Sequence, residues 1–122
     1  MIQKTTLKQI KNILNKYKNG ITLNLNGSIS NNKKGYYVSI TNNIFNTVTY
    51  KDIYNILSKA KKLNKKTYIG YWESEKTNKK YLDISLRFLN KQKALNVARK
   101  FKQEAIFCLN NMDSIYLSEA IC

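Results

Sequence analysis

The sequence predicts an α+β fold in which about three helices pack on an antiparallel sheet. Three segments repeat apolar residues at helical spacing, and the segments between them resemble strand pairs separated by polar, turn-forming residues. Because the strands of each pair are close in the chain, we expect them to pair locally. The expected order is α-ββ-α-ββ-α-ββ.

The first helix is expected over residues 7–18. Thr6 and Gln9, at its start, have the spacing of a capping box. Gly20 follows its last apolar position, where a helix commonly ends.

A first hairpin is expected after this helix. Apolar and polar residues alternate over 21–29, the polar residues 31–35 suit a turn, and 36–40 is rich in tyrosine and β-branched residues. The two strands are therefore expected to pair with each other.

The middle of the chain repeats the pattern. Thr49 and Asp52 form a second capping-box pair before a helix over about residues 50–63. Two segments rich in aromatic and β-branched residues, 67–73 and 80–88, flank a polar stretch and predict a second hairpin.

A third helix and a short closing hairpin complete the order. Asn90 can cap a helix whose apolar positions run over 94–101. The apolar segments 106–109 and 115–117 flank polar residues and predict the closing hairpin.

Length and composition indicate a single folded domain over residues 1–122. Hydrophobic residues make up 43% of the chain, and it contains no proline and no linker-like segment. The N-terminus lacks an apolar leader, and no apolar run is long enough to span a bilayer. We expect a cytoplasmic protein with no membrane partner; the basic face of helix 1 makes contact with an anionic membrane a weaker alternative.

Catalysis is not expected, and neither is a metal or other cofactor. The chain has no histidine, and its two cysteines, Cys108 and Cys122, do not have zinc-ligand spacing. Cys108 lies in an apolar strand segment, where a buried thiol is the usual role. Only Glu73 and Asp83 are expected to face each other across a hairpin, as solvated partners of nearby lysines and Arg87.

The charge is strongly positive and points to a polyanionic partner. The chain carries 22 Lys plus Arg against 7 Asp plus Glu, a net charge of +15. Asp52 is the first acidic residue and follows eight lysines, so AT-rich codon usage explains at most part of the excess. A nucleic acid is the leading expectation.

The expectation of a nucleic-acid partner rests on two groups of lysine and arginine residues. If helices 2 and 3 lie side by side, their polar faces would merge into one phosphate-binding surface. With only two arginines in the chain, recognition should be weakly sequence-specific. The candidate residues are Lys59, Lys61, Lys62, Lys65 and Lys66 near the end of helix 2, and Lys91, Lys93, Arg99, Lys100 and Lys102 on helix 3.

Aromatic residues in the predicted strands are candidates for stacking on unpaired bases. Because side chains alternate along a strand, these rings cannot all face the core. The candidates are Tyr37, Tyr71, Trp72 and Tyr81. Ordinary packing within the sheet is the alternative role, since tyrosine is favoured in strands.

Residues 68–117 carry a recognisable set of short motifs: an aromatic-Gly-aromatic strand, a Tyr-x-Asp-x-Ser strand, an alanine-rich helix and a Gln-x-Ala-Ile-aromatic segment. In this chain they are Tyr68-Ile69-Gly70-Tyr71-Trp72, Tyr81-Leu82-Asp83-Ile84-Ser85, Ala94 with Ala98, and Gln103-Glu104-Ala105-Ile106-Phe107. The set resembles small α+β proteins of unknown function carried by phages and other mobile elements. Cys108 stands where such proteins often have Asp, and Met112-Asp113 replaces their glycine at the final turn.

The resemblance implies a mobile-element origin and the cytoplasm of a bacterial host, without an activity to transfer. The positive charge and this resemblance together lead us to expect one of two functions. The first is a non-enzymatic, weakly specific nucleic-acid-binding protein of a phage or mobile element. The alternative is an anti-CRISPR-type inhibitor that docks on a host nuclease or its guide RNA complex. DNA or RNA, single or double strand, and the oligomeric state stay open.

Overall fold

The computed structural model describes residues 2–119. Within these residues there are three α-helices, a short 3-10 helix (Leu117–Glu119) and a seven-stranded antiparallel sheet, which confirms the α+β class. The α-helices are α1 (Lys4–Lys16), α2 (Tyr50–Lys62) and α3 (Lys91–Lys100). The strands are β1 (Ile21–Leu23), β2 (Tyr36–Ser39), β3 (Ile44–Phe45), β4 (Tyr68–Glu73), β5 (Lys80–Phe88), β6 (Ala105–Cys108) and β7 (Asp113–Tyr116). The predicted element order is wrong by one strand, because β3 lies before α2.

The described residues divide into two compact units. The first comprises residues 2–30 and 42–84, and the second comprises 31–41 and 85–119. Strand β5 contributes its first residues to one unit and its last residues to the other. The single domain expected from the length stays a prediction.

In the first unit, α1 packs on α2 and α2 packs on β4. The apolar stripes that predicted the two helices supply buried residues of the core, Ile10 and Leu14 from α1 and Ile53 and Leu57 from α2. Each such side chain contributes about 1.5–3 kcal/mol on burial. The predicted second hairpin is present: β4 and β5 are neighbours, and the Ser74 amide donates to the Lys79 carbonyl at 2.9 Å.

The N-terminal caps of α2 and α3 were predicted correctly, and that of α1 was not. The Thr49 and Asp52 side chains cap α2 reciprocally, and the Asn90 side chain accepts from the Lys93 amide at the start of α3. The Thr6–Gln9 capping box is wrong, because α1 begins at Lys4 and encloses both residues. The Gln9 side chain instead donates to the Gly27 carbonyl at 3.2 Å.

The predicted first hairpin is also wrong, because its two strands pair with other partners. β1 pairs with β4, whereas β2 pairs with β5 and β6. After β1 the chain reverses within a few residues: the Asn24 amide donates to the Ser28 carbonyl at 2.8 Å, and Ile29 forms a bridge with Leu23. The segment predicted as one strand therefore contains a turn of its own.

In the second unit, α3 packs on β2 and β6. Val38, Ala94, Leu95, Ala98 and Ile106 form the buried centre of this unit. The closing hairpin is present as predicted, with β6 and β7 paired antiparallel. Cys108 is buried on β6, as its apolar surroundings predicted, whereas Cys122 lies outside the described residues.

None of the helices within residues 2–119 combines the length and the apolar character needed to cross a lipid bilayer.

Alanine substitution at Gly35 should destabilise the protein more than alanine at Gly27. Both glycines have positive φ, so a Cβ costs about 1–2 kcal/mol at either position. At Gly35 the added methyl would also lie 2.6 Å from the Phe88 carbonyl oxygen, whereas at Gly27 its nearest neighbour is the Thr6 methyl at 3.4 Å. Urea unfolding of the two variants measures the difference, and equal losses would contradict the backbone clash.

Candidate nucleic-acid interface

The first group of cations lies at the end of α2 and in the segment that follows it. We call these residues the helix-2 lysines: Lys59, Lys61, Lys62, Lys65 and Lys66. All are exposed. The three lysines on α2 itself lie outside its buried apolar stripe of Ile53, Ile56, Leu57 and Ala60. The lysines of the last turn also interact favourably with the helix dipole. The Lys66 ammonium lies 5.7 Å from the centre of the Tyr68 ring.

The second group belongs to α3 and the residues just after it. We call these the helix-3 cations: Lys91, Lys93, Arg99, Lys100 and Lys102. All five side chains are exposed, whereas Ala94, Leu95 and Ala98 of α3 are buried. Arg99 donates to the Asn96 side chain at 3.1 Å, and the Lys100 ammonium lies 5.9 Å from the Phe101 ring centre.

Both groups lie in stretches of sequence without acidic residues. No Asp or Glu occurs between Asp52 and Glu73, or between Asp83 and Glu104. Each group therefore lacks a carboxylate from its own segment to neutralise it. The groups belong to different compact units, and the merged surface expected for helices 2 and 3 stays a prediction.

Two of the four predicted stacking residues are buried, which corrects their assignment as base-binding side chains. Tyr37 is 7% exposed and its hydroxyl accepts from the Asn32 side chain, while Tyr71 is 4% exposed and its hydroxyl donates to the Glu73 carboxylate. Their ring faces are covered by protein. Strand alternation predicts that successive residues face opposite sides, but not which side is covered.

Trp72 and Tyr81, the other two candidates, form a stacked pair on neighbouring strands. Their ring centres are 4.3 Å apart and their planes differ by 5°. Trp72 is 47% exposed, and Tyr81 is partly exposed. This pair is the aromatic surface that remains available among the predicted residues.

Tyr50 and Tyr54 are exposed aromatic residues that the predicted stacking set left out. They lie four residues apart on α2, outside its apolar stripe, and are about half exposed. Residues at this spacing share a helix face. Their spacing relative to the buried Ile53 and Leu57 is the sequence signal that could have identified them.

The expected facing pair of carboxylates is not present. Trp72 stacks on Tyr81, so alternation places Asp83 on the face of Trp72 and Glu73 on the opposite face with Tyr71. Asp83 is buried and accepts from the Asn43 amide at 2.8 Å. Among residues 2–119, no three potential ligands of the His, Cys, Asp or Glu type come together to hold a metal.

Comparison with models of protein families, with curated protein sequences and with solved structures finds no match to this chain. The resemblance of residues 68–117 to small mobile-element proteins therefore stays a hypothesis. The function has to be inferred from the charge and geometry of the chain itself.

The buried Tyr71 phenol should make the protein less stable at high pH. Burial, and then the hydrogen bond and the negative charge of Glu73, raise the pKa of Tyr71 far above its ordinary value of 10.0. The unfolded chain loses this proton above about pH 10 while the folded protein retains it. The free energy of unfolding should therefore fall by about 1.4 kcal/mol per pH unit until the folded pKa is passed.

Unfolding at several pH values between about 9 and 12 measures this slope. Tyr71→Phe removes the titrating group and should flatten the slope, whereas Tyr116→Phe, which removes an exposed phenol, should leave it unchanged. Identical slopes for the wild type and Tyr71→Phe would contradict the proton-retaining role of Tyr71.

Proposed function

We propose that this protein binds nucleic acid through phosphate contacts made by the helix-2 lysines and the helix-3 cations, without catalysing a reaction. The observation that carries the proposal is that ten exposed cations lie in two stretches free of acidic residues. Lysines that displace the condensed counterions of a nucleic acid gain affinity from the release of those ions.

The two arginines support weak sequence specificity. Arginine is well suited to reading guanine, because its planar guanidinium group donates two hydrogen bonds in a fixed geometry. Arg87 directs two of its N–H groups at the Lys34 carbonyl, at 2.9 and 2.7 Å, and Arg99 donates to Asn96. The remaining cations are lysines, which bind phosphates as point charges.

The composition and two of the carboxylates support the non-enzymatic part of the proposal. The chain has no histidine, which is the commonest general acid or base in enzymes. Asp83 accepts from a backbone amide, and Glu73 accepts from Tyr71. Both carboxylates therefore have structural partners.

The first measurement is binding to labelled single- and double-stranded DNA and RNA across a salt series, followed by fluorescence anisotropy. Phosphate recognition predicts an association constant that falls steeply and linearly on a double logarithmic scale with salt. An absence of binding near physiological salt would contradict the proposal. The charge would then favour an acidic protein partner, such as a host defence nuclease or its guide RNA complex.

Charge reversal should identify the contacting surface. Lys93→Glu, Lys100→Glu and Lys102→Glu together, or Lys61→Glu, Lys62→Glu and Lys65→Glu together, should greatly weaken binding. If each lysine contacts one phosphate, either triple variant should also reduce the salt slope by about 2 to 3.

The matched control reverses three exposed lysines outside both groups, Lys4, Lys8 and Lys33. All three triple variants lower the net charge from +15 to +9, since each reversal removes two charges. A general effect of charge would weaken binding equally in all three. Only a larger loss in the two test variants supports a defined surface.

A further inference from the structure

Three large side chains form a row across one face of the sheet in the first unit. Ile44 of β3 and Tyr81 of β5 are direct cross-strand partners. The Tyr81 ring stacks on Trp72 of β4 at 4.3 Å. We call Ile44, Tyr81 and Trp72 the Trp72 row.

The two ends of the Trp72 row are open to solvent. Ile44 is 54% exposed and Trp72 is 47% exposed, whereas Tyr68, on the same face of β4, is buried. The large apolar side chains of this face are thus covered at the start of β4 and exposed at its end. Contiguous exposed apolar side chains mark binding surfaces more often than isolated ones do.

The neighbour of the Trp72 indole on the side away from Tyr81 is a glycine. Tyr81 covers one face of the indole. On the other side of β4 lies β1, and Gly20, just before β1, lies beside Trp72. A Cβ atom at Gly20 would lie 3.8 Å from the Tyr71 carbonyl oxygen and 3.9 Å from the Trp72 Cβ, its two nearest heavy atoms. Gly20 therefore contributes no side chain to the space beside the indole, and Trp72 is 47% exposed.

Positive charge lies close to this row. The turn and strand residues 74–80 contain three lysines, Lys76, Lys79 and Lys80, and one glutamate. The Lys79 ammonium donates to the Asn46 side chain, just after β3. Lys79 and Tyr81 are two residues apart, as are Asn46 and Ile44, so alternation places both on the side of the Trp72 row, whereas Lys80 lies on the opposite side with Tyr71 and Glu73. A lysine ammonium has three N–H donors, so Lys79 retains donors for a phosphate.

We infer that the open face of Trp72 stacks on an unpaired base, so that the preferred nucleic acid is single-stranded. This inference rests on the proposed function and specifies its ligand. In a duplex both faces of each base are already stacked on neighbours, so an indole gains this contact only with an unpaired base. Every base has a π-face, so such stacking also agrees with weak sequence specificity.

The first test uses intrinsic fluorescence, because Trp72 is the only tryptophan in the chain. Titration with an oligothymidine single strand should quench Trp72 emission saturably, and the quenching should follow the anisotropy of the same complex. A duplex of equal length should bind with little quenching. Unchanged emission while the single strand is bound would overturn the inference.

The second test compares affinities of variants for the same single strand and duplex. Trp72→Ala should weaken binding to the single strand about tenfold, with duplex affinity unchanged. Trp72→Phe keeps a ring and should recover much of the loss. Tyr116→Ala removes an exposed strand aromatic of the second unit and should bind as the wild type does, and circular dichroism verifies that each variant is folded.

The outcomes separate this inference from the proposed function. If the wild type binds both forms with a steep salt slope and Trp72→Ala changes neither affinity, the stacking inference fails and phosphate binding stands. If the wild type binds neither form, both fail. In that case a loss of binding to a host nuclease in the Trp72→Ala variant would identify the Trp72 row as a protein-docking surface.

Discussion

The fold depends on the backbone pairing of strand β5. Its nine residues pair with β3 near one end and with β2 near the other, so each compact unit uses part of the same strand. The middle of β5, Leu82–Leu86, is buried without interruption, although Asp83 and Ser85 are polar. A buried polar group destabilises the fold unless it is hydrogen-bonded. The Asn43 amide provides that bond for Asp83 and fixes the chain just before β3.

The elements that were predicted correctly are those whose signal is local. The caps of α2 and α3 each involve residues three apart, and the second and third hairpins join strands adjacent in sequence. The first hairpin failed because β1 and β2 find their partners at distant positions of the chain. Asn26-Gly27, a dipeptide typical of tight reversals, lies inside the segment predicted as one strand and is the signal that was missed. β3 has only two residues, too few for a periodic pattern to identify.

The candidate site also has a part that the sequence predicts, the exposed cations, and a part that it does not, the location of the aromatic rings. Long charged side chains stay in water wherever the fold places them, so the exposure of the ten cations follows from their chemistry. Tyrosine is equally suited to a core and to a surface, and its location depends on which side of the sheet is covered. That is why Tyr37 and Tyr71 are buried while Trp72, next to Tyr71, is exposed. Coverage of a sheet face is a property of the tertiary structure, which no single segment of sequence determines.

The stacked rings belong to one continuous piece of chain, because Trp72 and Tyr81 lie on the two strands joined by residues 74–79. The stacked arrangement therefore depends on one hairpin and does not require segments that are distant in sequence to meet. The same two rings, placed at the same positions of another antiparallel hairpin, should stack in the same way. The connecting residues can then vary in charge, and so tune the attraction for a polyanion, while the ring pair stays constant.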